Sequence, residues 1–428
     1  MSLLDGSRRD KSPMLLRCSV CGAEVAAETD APWRCPNATE ADRQHVLHRV
    51  AQMRPLRPLD HRHPLVRFDP QLLWARIAEV HGLDLDARIA LVLELDAAVG
   101  EVDGRGFVET PFARADQLSE ALGFRAEGGI WIKDETVDVA GSAKARHLVS
   151  ILLHLLAMEA CGVASPQQRA PLAIASCGNA ALAAATLAAA VRWPIEVFVP
   201  TVANPAVIER LTVLGAHLNV CPRRHDDPPG DPCIHRFREA VSAGAVPFSV
   251  QGPENALCLD AGRTIAWECT EMLGARIDRF FAQVGGGALA TSIGFGCVDA
   301  GTHPRLLVVQ VAGCAPMVRA WERWKADPAA TWAQCMWPWT PEPHSIAGGI
   351  LDDETYDWLG VALSLRANGG TAEVVSEAQI IEANRLVEVH TDIDADHTGT
   401  AALAGVLALR SEIADDEVLV VPVTGTRR

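Results

Sequence analysis

Residues 130–147 read Ile-Trp-Ile-Lys-Asp-Glu-Thr-Val-Asp-Val-Ala-Gly-Ser-Ala-Lys-Ala-Arg-His. The apolar opening has strand character, the middle is polar, and Gly141-Ser142 leads to Lys144 at the mouth of a helical run over 148–158. A lysine in that position can lie beside a helix N-terminus and other cations. Both depress the pKa of an amine, as attack on a carbonyl requires. Taken alone, the stretch reads equally well as a surface lysine in a strand-to-helix turn. Its weight comes from partner turns further along the chain.

Beyond the helix, apolar strands at 171–175, 195–199, 217–220, 280–284, 306–311 and 418–423 alternate with helices such as 180–191 and 205–214. This alternation predicts an α/β fold with a mainly parallel sheet. Three strand ends carry polar or glycine-rich turns. Gly285-Gly286-Gly287-Ala288-Leu289 runs from strand to helix, so its amides and the helix dipole can approach an anion closely. It lacks the Lys-Ser/Thr of a triphosphate loop and the pattern of a dinucleotide fingerprint. Ser176-Cys177-Gly178-Asn179 is a second such turn; its amides can receive a carboxylate, and Asn179 can donate to a phenolate oxygen or simply cap the helix. Cys177 has no visible His-Asp partnership and reads as a small thiol in the interior. Thr424 ends the last strand, where its hydroxyl can reach a ring nitrogen.

The 38 basic and 54 acidic residues leave a net charge of −16, which opposes phosphate-backbone binding and excludes nucleic acid as the expected partner. The stretch 1–11 is polar and has no signal-peptide character, and the Ala-rich run 180–191 is too short to span a bilayer, so no membrane association is expected. Twelve cysteines without a repeating spacing fit a reducing cytoplasm.

Residues 1–17 read as a loose tail. Cys18-Ser19-Val20-Cys21 and then Cys35 form three quarters of a zinc-ribbon set, with Ala38 where a fourth cysteine would stand. His45 or His48, on a helix expected just downstream, can complete it; the plainer reading is a ribbon that packs without metal. Residues 54–70, rich in Pro, His and Arg, read as a surface linker in which His61 and His63 are exposed. Helices are expected over 70–81 and 84–99. Asp134, Glu135 and Asp138 read as a solvated turn, with Arg146 and His147 capping or packing the helix.

Five segments in order resemble the fold-type II pyridoxal-phosphate family, which includes threonine synthases, serine and threonine dehydratases and cysteine synthases. Gly-Ser-Ala-Lys-Ala-Arg at 141–146 is similar to the family's Gly-Ser-Phe-Lys-Asp-Arg, and Ser-Cys-Gly-Asn to its Ser-x-Gly-Asn turn. Residues 200–216 and 262–268, and the triple glycine, match further family segments. The Cys knuckle and His397-Thr398-Gly399-Thr400 look most like threonine synthase. Ala145 and Ala143 depart from the family pattern, and the lysine-bearing tail of many threonine synthases is missing, which argues against a phosphorylated substrate.

The resemblance implies two α/β domains with twisted, mainly parallel sheets and the cofactor between them, plus a zinc-ribbon-like extension. The division expected is 1–60, a helical linker 61–104, and a catalytic region 105–428 with 150–270 as its smaller part. It also implies pyridoxal 5'-phosphate as a Schiff base on Lys144, its phosphate on Gly285, Gly286, Gly287, Ala288 and Leu289, its ring contacted by Asn179 and Thr424, and the substrate carboxylate on Ser176, Cys177, Gly178 and Asn179. Zinc on Cys18, Cys21 and Cys35 is a further expectation. The activity implied is elimination from a hydroxy- or β/γ-substituted amino acid by a homodimer. A β-replacement synthase and a non-catalytic metal-bearing scaffold are the competing readings.

Overall fold

The computed structural model describes residues 16–26, 29, 32–49 and 56–428. Residues 1–15 of the expected tail, and residues 54 and 55 of the expected linker, lie outside the described residues.

Two sheets organise the chain. In Val418–Val423 every side chain is buried, as expected of a strand covered on both faces. It lies inside a six-stranded sheet whose spatial order is Thr371–Val375, Arg305–Val311, Arg279–Gln283, Val418–Val423, Gly129–Asp134 and Phe112–Arg114. All neighbours are parallel except the last pair. The second sheet, ordered His217–Val220, Ile195–Val199, Leu172–Ala175 and Val246–Pro247, is wholly parallel. The helices Lys144–Ala160 and Asn179–Ala190 pack on each other, and Leu85–Asp103 packs on both.

Val418–Val423 pairs with Arg279–Gln283 only through Leu419 and Val420. Pro422, which has no N–H to give a ladder, sits beyond that point. The two strands therefore part toward their carboxyl ends, where an open α/β sheet leaves a crevice.

The N-terminal region is a small antiparallel sheet, Glu24–Val25, Leu16–Cys18 and Leu47–Arg49. His48 is thus on a strand and His45 in the segment before it, not on the helix expected there; pairing with Leu16–Cys18 overrides local propensity. The expected linker also contains structure. Pro64–Arg67 is a helical turn, and His63 is buried with Nε2 3.3 Å from Asp96 Oδ1, so it is not a surface residue. The helix expected over 70–81 divides into a 3-10 turn at Asp69–Gln71 and an α-helix at Leu73–Val80. The Lys144 helix starts at the lysine itself and runs to Ala160.

Candidate active site

The turns singled out in the sequence converge. Lys144, Ser176, Cys177, Gly178, Asn179, Gly285, Gly286, Gly287, Ala288, Leu289 and Thr424 all line one cavity of about 740 Å³. Most of them follow the carboxyl end of a parallel strand: Ser176 follows Ala175, Gly285 comes two residues after Gln283, and Thr424 follows Val423.

Burial pushes the Lys144 amine below the ordinary lysine range, while Asp352, Cys258 and Asp357 pull it back up. The chain has four lysines, at positions 11, 133, 144 and 325. Lys133 is engaged by Glu268 at 2.5 Å and the Thr110 carbonyl at 2.6 Å, and Lys325 pairs with Glu322. Among the described residues, Lys144 is the lysine that faces the cavity.

The helix that carries it is anchored two residues on. Arg146 Nε donates to Glu135 Oε2 at 2.7 Å, and Nη1 donates to Glu268 Oε1 at 2.6 Å and to Thr264 Oγ1 at 2.8 Å. Asp138 Oδ2 lies 3.5 Å from Arg146 Nε. Glu135 and Asp138 are fully buried, which corrects the solvated turn expected for Asp134, Glu135 and Asp138: this turn is the wall of an internal ion network. His147 is also buried. Its Nδ1 donates to the Cys258 carbonyl at 2.8 Å, and burial, then the Lys144 charge, hold it down to about 4, so it is neutral.

Two helices open onto the cavity without a side-chain cap. Ala288–Asp299 begins after Gly287 (φ 101°), and Asn179–Ala190 begins after Gly178. Their first amides therefore have no helical partner. Asn179 lies inside the helix instead of capping it; its Oδ1 accepts from Arg428 Nε at 3.0 Å, and no protein acceptor takes its Nδ2 among the described residues. Gln283 Nε2 donates to the Thr398 carbonyl at 3.0 Å and to Thr424 Oγ1. That leaves the Thr424 hydroxyl its own proton to offer. Cys177 stays a thiol, since burial and then Asp231 push it up.

Such a set fits an aldehyde cofactor with an anionic arm: a depressed amine, an uncapped helix start behind three glycines, a free amide donor and a hydroxyl with an unused proton. The family model for pyridoxal-phosphate dependent enzymes matches residues 105–425. The chain belongs to the pyridoxal-phosphate dependent enzyme family. Its cofactor is therefore pyridoxal phosphate. It is 26% identical over 331 residues to the threonine synthase of Methanosarcina acetivorans, covering 74% of each chain. Against the cysteate synthase of Methanospirillum hungatei it is 25% identical over 343 residues, covering 73% of this chain and 74% of that one. By fold it is similar to threonine deaminase isoform 2 of Solanum lycopersicum (TM-score 0.59, 18% identity, 81% of this chain and 86% of that one). A pyridoxal 5'-phosphate-dependent aspartate racemase gives a TM-score of 0.61 at 18% identity, covering 79% of this chain and 95% of that one.

Among the cavity residues that escaped the sequence reading are Gln283, Asp352 and Tyr356. Gln283 left a trace, as the polar end of an otherwise apolar strand. Asp352 and Tyr356 sit in an irregular segment that local pattern does not mark.

A second cluster lies in the N-terminal sheet region. The ligand atoms of Cys18, Cys21, Cys35 and His45 lie within 4.8 Å of one another. Cys18 Sγ is 3.4 Å from His45 Nδ1 and Cys21 Sγ is 3.6 Å from Cys35 Sγ, spacings that suit a tetrahedral ion. His45 Nε2 faces Asp42 Oδ2 at 3.4 Å, the usual outer partner of a ligating histidine. His48 is not in the cluster; it packs on Phe295 at 5.1 Å, and burial holds it down to about 3.

Proposed function

We propose that the chain is a lyase that eliminates a β- or γ-substituent from a hydroxy- or otherwise substituted amino acid, in the manner of threonine synthases or amino-acid ammonia-lyases. The observation that carries this reading is the placement of Lys144 in one cavity with two uncapped helix starts and a neutral hydroxyl at the end of the last strand. Lys144 would hold the cofactor, the amides from Gly285 to Leu289 its phosphate, and Asn179 and Thr424 its ring. When bound, the cofactor supplies an electron sink for the α-carbon.

The chain's own groups do the rest. The Ser176–Asn179 turn receives the substrate carboxylate at the second helix start. The Lys144 amine, kept below its ordinary range, takes the α-proton at Nζ. Thr424 offers a hydroxyl where a carboxylate would hold a ring nitrogen protonated. That moderates electron withdrawal and favours loss of the β-substituent over transamination.

The similarity to cysteate synthase favours one alternative, β-replacement with a second nucleophile. The test is a visible absorbance spectrum of the loaded protein, repeated across a panel of amino acids, with 2-oxo acid and ammonia assayed with and without added sulfide. Ammonia-lyase elimination predicts both products without sulfide, and threonine synthase-like elimination predicts release of the γ-substituent with a new hydroxy amino acid; a product formed only with sulfide would replace this reading with the synthase.

The Cys18–Cys21–Cys35–His45 set would hold one zinc ion. Twelve free thiols fit a cytoplasmic enzyme, and the family resemblance suggests a homodimer. Among the described residues, no helix is long and apolar enough to cross a membrane.

A further inference from the structure

The cavity carries more negative charge than its cofactor requires. Asp352 and Asp353 line it half-buried, and Asp231 and Glu342 line it at the rim. The cations facing them are Lys144 and Arg223. Arg223 is exposed and already tied down: Nη1 donates to the Pro228 carbonyl at 3.2 Å and Nη2 to the Gly230 carbonyl. The two uncapped helix starts offer seats for two anions, the cofactor phosphate and the substrate carboxylate, and Asp352 already stands beside the first of them, accepting from the Gly286 amide. A third anion on the substrate's side chain would find no seat and would face four carboxylates.

Tyr356 is the one tyrosine of the chain. It lines the same cavity at 8% exposure, beside Gly286, and its hydroxyl makes no hydrogen bond among the described residues. The ring is packed in the wall while the unpartnered hydroxyl is left accessible, so a ligand in the cavity can meet it. Burial, then Asp353, Asp352 and Asp231, push that phenol up, so it stays neutral and can both accept and donate. A metal ion is a poor fit for these groups: among the described residues, the only set of metal-ligand atoms gathered within 4.8 Å is the Cys18 cluster. More widely spaced carboxylates suit a larger organic cation.

We propose that the substrate is a diamino acid, whose side-chain ammonium is received by Asp352, Asp353 and Tyr356. This inference rests on the lyase reading and narrows its substrate class. For the smallest member, 2,3-diaminopropanoate, the α-proton is removed and the Cβ–N bond breaks. The bond's electron pair leaves with the ammonium nitrogen, which departs as neutral ammonia. Water then hydrolyses the remaining enamine, so that one diaminopropanoate and one water give pyruvate and two ammonia. No oxidant or reductant is required.

The test titrates the loaded enzyme with 2,3-diaminopropanoate, serine and O-phosphoserine, following the cofactor absorbance for Kd and pyruvate for kcat/KM. The expected result is that the diamino acid binds at least about tenfold tighter than serine, and that O-phosphoserine binds weakest. Asp352→Asn should cut the diamino-to-serine preference by about tenfold, and Tyr356→Phe by a few-fold. If Asp352→Asn does not fold, Asp353→Asn and the decline of the wild-type preference with added salt serve in its place. Equal or tighter binding of serine or O-phosphoserine overturns the proposal, as does a preference that these variants and salt leave unchanged. If none of the three amino acids shifts the spectrum, the lyase reading fails and this inference fails with it.

Discussion

At the scale of single residues, the site depends on groups whose charge the interior controls. Lys144 was legible from sequence because a glycine-serine pair and a helix start mark it locally. The neutrality of His147 was not legible, since it comes from burial under segments distant in sequence, such as the one carrying the Cys258 carbonyl 111 residues away, and then from the Lys144 charge. His154, on the same helix, is buried with both ring nitrogens unpartnered, and burial followed by His81 holds it down to about 4. A histidine depressed in the fold stabilises fully above its unfolded value near 6.5 and loses that contribution as pH falls through 4. His154→Leu should therefore gain stability relative to the wild type as pH falls from 7 to 4, by on the order of 2–3 kcal/mol at the acid end. Asp357, which burial raises to about 7, works in the opposite direction and loses its contribution as pH rises through 7. It is common to both proteins and cancels in the comparison. Urea denaturation at each pH checks this, and a difference that stays flat with pH contradicts it.

At the scale of elements, the parallel strands were legible because fully buried strands read as continuous apolar runs. The ion network around Arg146 was not, because its partners come from three separate segments and a run of acidic residues reads locally as solvated. With Glu135 and Glu268 buried, removing the guanidinium strands Glu135 without a counter-ion and leaves Glu268 with Lys133 alone. Arg146→Leu should cost about 3–5 kcal/mol in urea unfolding. Adding Glu135→Gln to that variant should recover part of the loss. A loss below about 1 kcal/mol would show that the network does not hold the Lys144 helix.

At the scale of the whole molecule, the N-terminal knuckle lies against the back of both site helices. Trp33 packs edge-on to His154 of the Lys144 helix at 5.8 Å. His48 packs on Phe295, and Arg49 Nη2 pairs with Asp299 Oδ2 at 2.6 Å, both on or at the end of the helix behind the triple glycine. Loss of the proposed zinc should therefore be felt at the cofactor. Cys35→Ser, or chelation in the wild type, should lower the thermal midpoint and weaken cofactor retention together; one zinc per chain by elemental analysis is the companion expectation. This coupling could not be read from sequence, where the three cysteines showed a metal set but the strand that brings His45 to it, and the surface it rests on, are products of tertiary pairing. The whole site turns on one amine, and that amine has a direct chemical test. Borohydride reduction of the loaded protein followed by peptide mass mapping should place a stable pyridoxyl group on Lys144, and Lys144→Ala should lose both the adduct and the visible absorbance. An adduct on Lys133 or Lys325, or an unchanged spectrum in Lys144→Ala, would contradict the account.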